Sequence, residues 1–386
     1  MKNLGWSFGF YFLYFAAFAF LAPFIILYYQ QLNLSGVQIG LLAGLPSLIT
    51  MVASPLLSNI ADRTRRHHLI LGLGIVCSAV LIAILPQVQS FVAVLILIIF
   101  FNFLFSPVAS LGDAAAMAML GEQRELYGRV RLGGTLGWGI FALVAGRLLD
   151  LRGVGSLFYM FSAIMLINLF ISRKLYFGQP ARHDSESGRL KVLLQSRRWI
   201  VFLAIAFLGG LGAFSVAVYF APYLKDLNGS GNQISIAIAA ATLPELLVFF
   251  MGDRLIKRFT SNGLFVVAVA LMGLRSILFG LVNSVLLGMI IQILGGAIYP
   301  AMWLAAVAYA DEHAPANLKS TAQGLLGAMS FGFGSAFGGF LGGPLLESIG
   351  SRGMFLVFGI IMLTGLALVE GAKRLIPDRE ALTAKS

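Results

Sequence analysis

Leu32-Asn33-Leu34-Ser35-Gly36-Val37-Gln38-Ile39 returns as Leu227-Asn228-Gly229-Ser230-Gly231-Asn232-Gln233-Ile234, an offset of 195 residues in a chain of 386. A repeat at half the chain length is the mark of an internal duplication. Ala22-Pro23 and Ala221-Pro222 stand just upstream of the two copies, with spacings that differ by about one helical turn.

Outward from the two copies, the sequence is a succession of apolar runs separated by short polar breaks. The runs fall near 6–30, 37–59, 68–86, 90–120, 126–149, 155–172, 199–224, 233–252, 264–283, 285–310, 320–346 and 353–371, numbered here as spans 1 to 12. Runs of ~18 residues or more favour crossing a bilayer over lying in a soluble core. Composition agrees: 59% of residues are hydrophobic, 11% are charged and mean hydropathy is +0.90, whereas soluble domains carry about 25% charged residues. Only helices and closed barrels satisfy every backbone group in lipid, and the alternation of a barrel strand is absent. The chain therefore reads as an all-α membrane protein with twelve transmembrane helices in two pseudo-symmetric six-helix bundles. The expected division is an N-terminal bundle over 1–172, a cytoplasmic linker over 173–198 and a C-terminal bundle over 199–386. An even number of spans per half keeps both copies in the same orientation. Lys2 and the small-x-small run Ala17-Phe18-Ala19 imitate a secretory signal. The apolar run continues through Pro23 to Tyr29, however, and has its counterpart in mid-chain, so it is read as span 1.

A net charge of +11 and a pI near 9.9 would suggest nucleic-acid binding in a soluble chain. Here 21 of the 27 basic residues lie at the termini and in the even-numbered breaks, against four in the odd-numbered breaks. Those four are Arg147, Arg152, Lys225 and Arg352, and the remaining two, Arg131 and Arg275, fall within spans. The asymmetry sets orientation, so both termini and the linker are expected in the cytoplasm of a bacterial-type inner membrane. Lipid is the implied partner, and nucleic acid is not.

Ionisable groups at membrane depth are costly and are functional candidates by default. Asp113 precedes Glu122 by nine residues, ~14 Å of helix, and Glu245 precedes Asp253 by eight, ~12 Å. Arg275 stands eight residues before Asn283. For Arg131, near the start of span 5, two readings stand: a cavity residue, or a side chain snorkelling to the headgroups beside Arg129. At 100° per residue, Asn102, Ser106 and Asp113 share one face of span 4, and Arg131, Thr135 and Trp138 share one face of span 5. Gln292, Tyr299 and Trp303 form a third stripe, and Ser215 with Tyr219 a fourth. Polar faces on several spans would meet in a cavity. The structural alternatives are helix packing or an interfacial belt for the aromatic residues, and a buried ion pair for the carboxylates.

Gly40-xxx-Gly44, Gly133-xxx-Gly137 and Gly334-xxx-Gly338-xxx-Gly342 have the spacing that lets helix backbones approach closely. Neither a Walker A loop nor a helix-borne His-Glu-x-x-His occurs, and Cys77 and four histidines show no metal-ligand spacing. No cofactor, metal or enzymatic activity is indicated.

Tyr127-Gly128-Arg129-Val130-Arg131-Leu132-Gly133-Gly134-Thr135-Leu136-Gly137-Trp138 resembles span 5 of the lactose permease branch of the major facilitator superfamily, and also the phenylpropionic acid permease group. Asn102-Phe103-Leu104-Phe105-Ser106-Pro107 is closer to the second. The resemblance implies that Asp113 pairs with Arg131 across a substrate on which the Trp138 ring stacks. It also implies that Glu245, in Pro244-Glu245-Leu246-Leu247, and Arg275, in Leu274-Arg275-Ser276-Ile277, form the charged partner in the second half. Ser58-Asn59-Ile60-Ala61-Asp62-Arg63-Thr64-Arg65-Arg66 is similar to the superfamily's signature between spans 2 and 3, and Gly252-Asp253-Arg254 to its second-half copy. By that resemblance Asp62, Arg63, Asp253 and Arg254 are gating residues. Span 10 departs from the branch: Gln292, Gly295 and Ile298 stand where lactose permease has its Lys, His and proton-carrying Glu. Any proton must then use Glu245 or Asp113.

The resulting expectation is a monomeric secondary transporter of a sugar, nucleoside or aromatic acid, driven inward with protons by alternating access. Asn102, Asp113, Arg131, Trp138, Tyr299 and Trp303 would hold substrate, and Glu245, Arg275 and Asp113 would couple it. Two alternatives remain at this stage. An efflux antiporter is disfavoured by a span 5 that lacks the Gly-Pro motif typical of the superfamily's antiporters, and a non-transporting receptor or intramembrane enzyme by a longest polar break of only about 26 residues.

Overall fold

A computed structural model describes residues 4–123, 126–178, 193–315 and 318–375. Within them, eleven stretches are long and apolar enough to cross a membrane: Leu4–Gln31, Gly36–Thr64, His67–Gln87, Phe91–Leu120, Tyr127–Arg152, Gly155–Ser172, Arg197–Asp226, Gly231–Gly252, Ser261–Leu281, Val285–His313 and Lys319–Ala372. The last, at 54 residues, would be ~80 Å long if straight, far beyond a ~30 Å hydrocarbon core. It reverses at Gly350, whose φ of 72° and ψ of 172° break the helix. Before that residue the chain runs parallel to span 7, with Gly210 against the Ser330 carbonyl and Gly342 against Tyr219. After it the chain runs antiparallel, with Met362 at Gly212 and Gly365 at Leu208. Spans 11 and 12 are thus separate helices, and the expected twelve are present in two six-helix bundles.

The repeated motif has a local physical cause. Asn33 and Asn228 take left-handed backbone (φ 52° and 65°), which Asn tolerates better than other side chains. Ser35 and Ser230 then cap spans 2 and 8, each closing a reciprocal capping box with Gln38 or Gln233. The same four-residue logic therefore starts the same helix in both halves.

Turns after the odd-numbered spans lie on one face of the molecule, the odd-loop face; those after the even-numbered spans lie on the opposite, even-loop face. Glycines set the helix packing. In span 5, Gly133 and Gly137 sit against the backbone carbonyls of Phe8 and Phe12, and in span 11 Gly334 and Gly338 sit against those of Phe207 and Leu211. Between halves, span 2 crosses span 11 and span 8 crosses span 5 through glycine pairs such as Gly40 on Gly339 and Gly146 on Gly231. Apolar side chains cover the exterior, as Phe250 at 85% exposure and Leu368 at 73% illustrate; in lipid these are the solvated positions.

Four spans are irregular at mid-depth. Span 1 breaks between Leu21 and Ile25 around Pro23, span 8 between Ala240 and Thr242, and span 10 between Gly295 and Ile298. Span 11 carries a π-helical turn, Ala328–Gly334. Broken helices at membrane depth are tolerated where protein or a cavity covers them. Here the breaks cover one another in part, since Gly296 abuts the Ala241 carbonyl.

Candidate functional site

The breaks border a central void in two parts. The larger, about 760 Å³, is lined by Asp113 of span 4, Tyr127, Arg131, Thr135 and Trp138 of span 5, Thr242 and Glu245 of span 8, Tyr299 and Trp303 of span 10, and Phe331 of the π-turn, with Phe15, Gly134 and Phe249. The smaller, about 390 Å³, includes Ala22, Pro23, Arg275, Gln292, Gly295 and Ser335. Trp138, Thr242, Glu245, Tyr299 and Phe331 line both parts. Volumes of this size suit a small organic ligand.

In the N-terminal half the carboxylate is held and the arginine is free of acids. Asp113 Oδ1 accepts hydrogen bonds from the Tyr11 hydroxyl and, at 2.9 Å, from the Tyr127 hydroxyl. Ion pairs within 4 Å among the described residues are His67–Asp62, Lys225–Asp150, His313–Glu312 and Lys319–Asp311, so Asp113 and Arg131 are not in direct contact. The Arg131 guanidinium instead lies 5.0 Å from the ring centre of Tyr11 and 4.5 Å from that of Phe15, a cation–π geometry. It lines the larger cavity.

The C-terminal half has the reverse arrangement. Arg275 is only 8% exposed, donates from Nη2 to Gln292 Oε1, and has its guanidinium carbon 5.2 Å from the centre of the Phe279 ring. Gly295 makes room for it: a Cβ there would strike the guanidinium. Two of the three span 10 departures are thus the very residues that accommodate Arg275. Glu245, by contrast, has no hydrogen bond and no ion pair within 4 Å among the described residues, and it borders both parts of the void. Glu245 and Arg275, expected together as the charged partner of the second half, are thus not an ion pair within 4 Å. Arg275 turns to span 10 because an amide there and the missing Cβ of Gly295 give it a seat.

Other expectations divide by depth. Trp138, Tyr299 and Trp303 reach the cavity, with the Trp303 ring tilted at 44° to that of Phe331, 4.8 Å between centres. Asn102 does not: it lies eleven residues, ~16 Å of helix, from Asp113 and bonds back to the Ile98 carbonyl at 2.8 Å. Helical phase grouped it with Asp113, but phase says nothing about distance along the axis. Ser106 likewise bonds to Phe103. Ser215 is buried, and Tyr219 packs against span 11 with its hydroxyl on the Gly339 carbonyl, so the fourth stripe is helix packing. Tyr11, Phe15, Thr242 and Phe331 were not singled out by sequence. Tyr127 opens the span 5 motif and carried the only signal that could have found one of the two hydroxyls on Asp113.

On the even-loop face, Asp62 Oδ1 is 2.8 Å from His67 Nε2, and the His67 ring stacks on Phe177 just beyond span 6. Arg63 and Arg254 are exposed, and the side chain of Asp253 lies outside the described residues. Among the described residues, ion pairs on this face stay within a half, whereas on the odd-loop face Lys225–Asp150 crosses between halves.

The chain matches the MFS_1 like family over residues 6–357. It is 30% identical over 370 residues to a maltose permease of Geobacillus stearothermophilus, covering 95% of this chain and 93% of that one. It is 23% identical to a probable 3-phenylpropionic acid transporter of Escherichia coli (strain K12), covering 93% of this chain and 95% of that protein. The crystal structure of the nucleoside transporter NupG superposes with a TM-score of 0.83 at 16% identity, over 96% of this chain and 98% of that one. The duplicated six-span halves, the span 5 motif and these matches have one explanation: the chain belongs to the MFS_1 like family of the major facilitator superfamily.

Proposed function

We propose that this protein is a secondary transporter that takes up a small polyhydroxylated solute of the sugar class, with protons, by alternating access of its two bundles. The observation that carries the proposal is one cavity in which Arg131 of the first half and Glu245 of the second face open space beside the rings of Trp138, Tyr299 and Trp303. Charged groups that hydrogen-bond hydroxyls, set beside flat apolar rings, suit a ligand with both polar edges and apolar faces. The name of the maltose permease relative supports the sugar class over nucleosides and aromatic acids, which other relatives suggest.

In this reading Arg131 and Trp138 hold the solute, Asp113 orients through its tyrosines, and Glu245 carries the proton. Of the two acids at membrane depth, Glu245 is the one without hydrogen bonds, and its place on both parts of the void suits a group wetted from alternate sides. Arg275 with Gln292 braces the second half. Residues 1–172 and 199–386 act as the rocking bodies, and 173–198, most of which lie outside the described residues, join them. The basic residues support cytoplasmic termini in an inner membrane. The even-loop face is then the cytoplasmic one, where Asp62, Arg63, Asp253 and Arg254 act at the gate of a monomer.

The test is uptake into proteoliposomes of maltose, a nucleoside and phenylpropionate, each with and without an inside-alkaline pH gradient. Maltose accumulation that depends on the gradient is expected. Failure to move any of the three would overturn the reading, and gradient-driven export would favour the efflux alternative.

A further inference from the structure

The odd-loop face carries a feature that the cavity does not account for. Asp150, at the end of span 5, accepts from the backbone N–H of Gly231 at 2.7 Å with Oδ1 and of Asn232 at 2.8 Å with Oδ2. These are the first two amides of span 8, in the other half. Glu347, at the end of span 11, accepts with Oε2 from the N–H of Gly36 at 2.8 Å, the first amide of span 2, again across the halves. The two contacts are equivalent under the duplication. Their sequences repeat as well: Gly146-Arg147-Leu148-Leu149-Asp150 returns as Gly343-Pro344-Leu345-Leu346-Glu347, with Gly, Leu, Leu and an acid in register.

Helix N-termini attract anions because their first amides lack intrahelical partners and carry the positive end of the helix dipole. In each case the capping box already occupies the third amide, and the carboxylate from the opposite half takes the first. Glycine at that first position is needed for the approach. A Cβ on Gly231 would lie 2.8 Å from Asp150 Oδ1, and one on Gly36 would lie 2.7 Å from Glu347 Oε2. The acids are thus at contact distance only while the odd-loop ends are together. Separation of the halves would break three charge-assisted hydrogen bonds at once and also release Lys225 from Asp150, 3.7 Å away.

We propose that Asp150 and Glu347 are a paired carboxylate latch that holds the odd-loop face shut and so sets the balance between the two orientations of the cavity. Asp150, with two amides and Lys225, is the stronger member. That this face is the external one rests on the orientation proposed above; the latch does not.

The test uses spin labels on Gln89→Cys and Asn283→Cys in a Cys77→Ser background. These positions lie in the odd-loop turns after spans 3 and 9, one in each half and away from the latch. Pulsed dipolar measurement of full-length protein in nanodiscs reads the separation of the halves without requiring transport. For Asp150→Ala/Glu347→Ala we expect a longer-distance population, its ratio to the short one raised tenfold or more. Asp150→Asn and Glu347→Gln keep side-chain volume and report singly if the double variant does not fold. Each should raise the ratio several-fold, Asp150→Asn more. An unchanged distance distribution in well-folded variants overturns the latch. A shifted distribution in a protein that moves no solute sustains the latch and overturns the transport reading instead.

Discussion

The two halves carry the same charges and use them in opposite ways. In the first, the acid is tied and the arginine is open: Asp113 is bonded by Tyr11 and Tyr127, while Arg131 lies over Tyr11 and Phe15 and faces the cavity. In the second, the arginine is tied and the acid is open: Arg275 is seated on Gln292 and Gly295, while Glu245 faces the cavity. The open groups, Arg131 and Glu245, belong to different halves. A solute bridging them would feel both bodies at once, as alternating access requires, whereas a solute between Asp113 and Arg131 would feel only one.

This contrast can be broken at its open ends and at its tied ends. Glu245→Gln keeps the shape and fixes the neutral state, so pH-driven accumulation should fall to an inside-to-outside ratio of about one while exchange of internal for external solute continues. Accumulation in that variant, measured in proteoliposomes, would assign the proton to another group. Arg131→Lys retains the charge but loses the planar fork, and calorimetry should show solute affinity weakened by about 10- to 100-fold, the range of a hydrogen bond to a charged group. Normal affinity would return Arg131 to the role of a headgroup anchor.

At the tied end, Gly295→Ala should act on stability first. Its methyl group meets the Arg275 guanidinium, and overpacking of this kind costs about 1–3 kcal/mol, readable as a lowered thermal midpoint in detergent. An unchanged midpoint would mean that Arg275 can leave its seat freely. Trp138 should give the smallest effect. Trp138→Tyr, which keeps a ring, should weaken binding less than Trp138→Ala, by a difference of about 0.5–1.5 kcal/mol; equal losses would remove stacking from the account.

Hydropathy and charge are read along one dimension, and what depends on one dimension was legible. Span number and the break between spans 11 and 12 follow from local composition, because the bilayer imposes its thickness on each segment separately. Trp138, Tyr299 and Trp303 were found by helical phase. The same reasoning failed for Asn102, since phase gives the face of a helix and says nothing about where along it a cavity ends. Tyr219 failed differently: a polar stripe also arises where a hydroxyl finds a neighbouring helix's carbonyl.

The partners of the charges were settled only by tertiary structure. Asp113 meets a tyrosine 102 residues away, and Arg275 an amide 17 residues away on the next span. A buried charge takes whichever donor or acceptor the packing brings within reach. The sequence by itself determined which groups must be dealt with at membrane depth, because their desolvation cost belongs to each residue alone. Which of them end up tied and which remain open was decided by the crossing of helices distant in the chain.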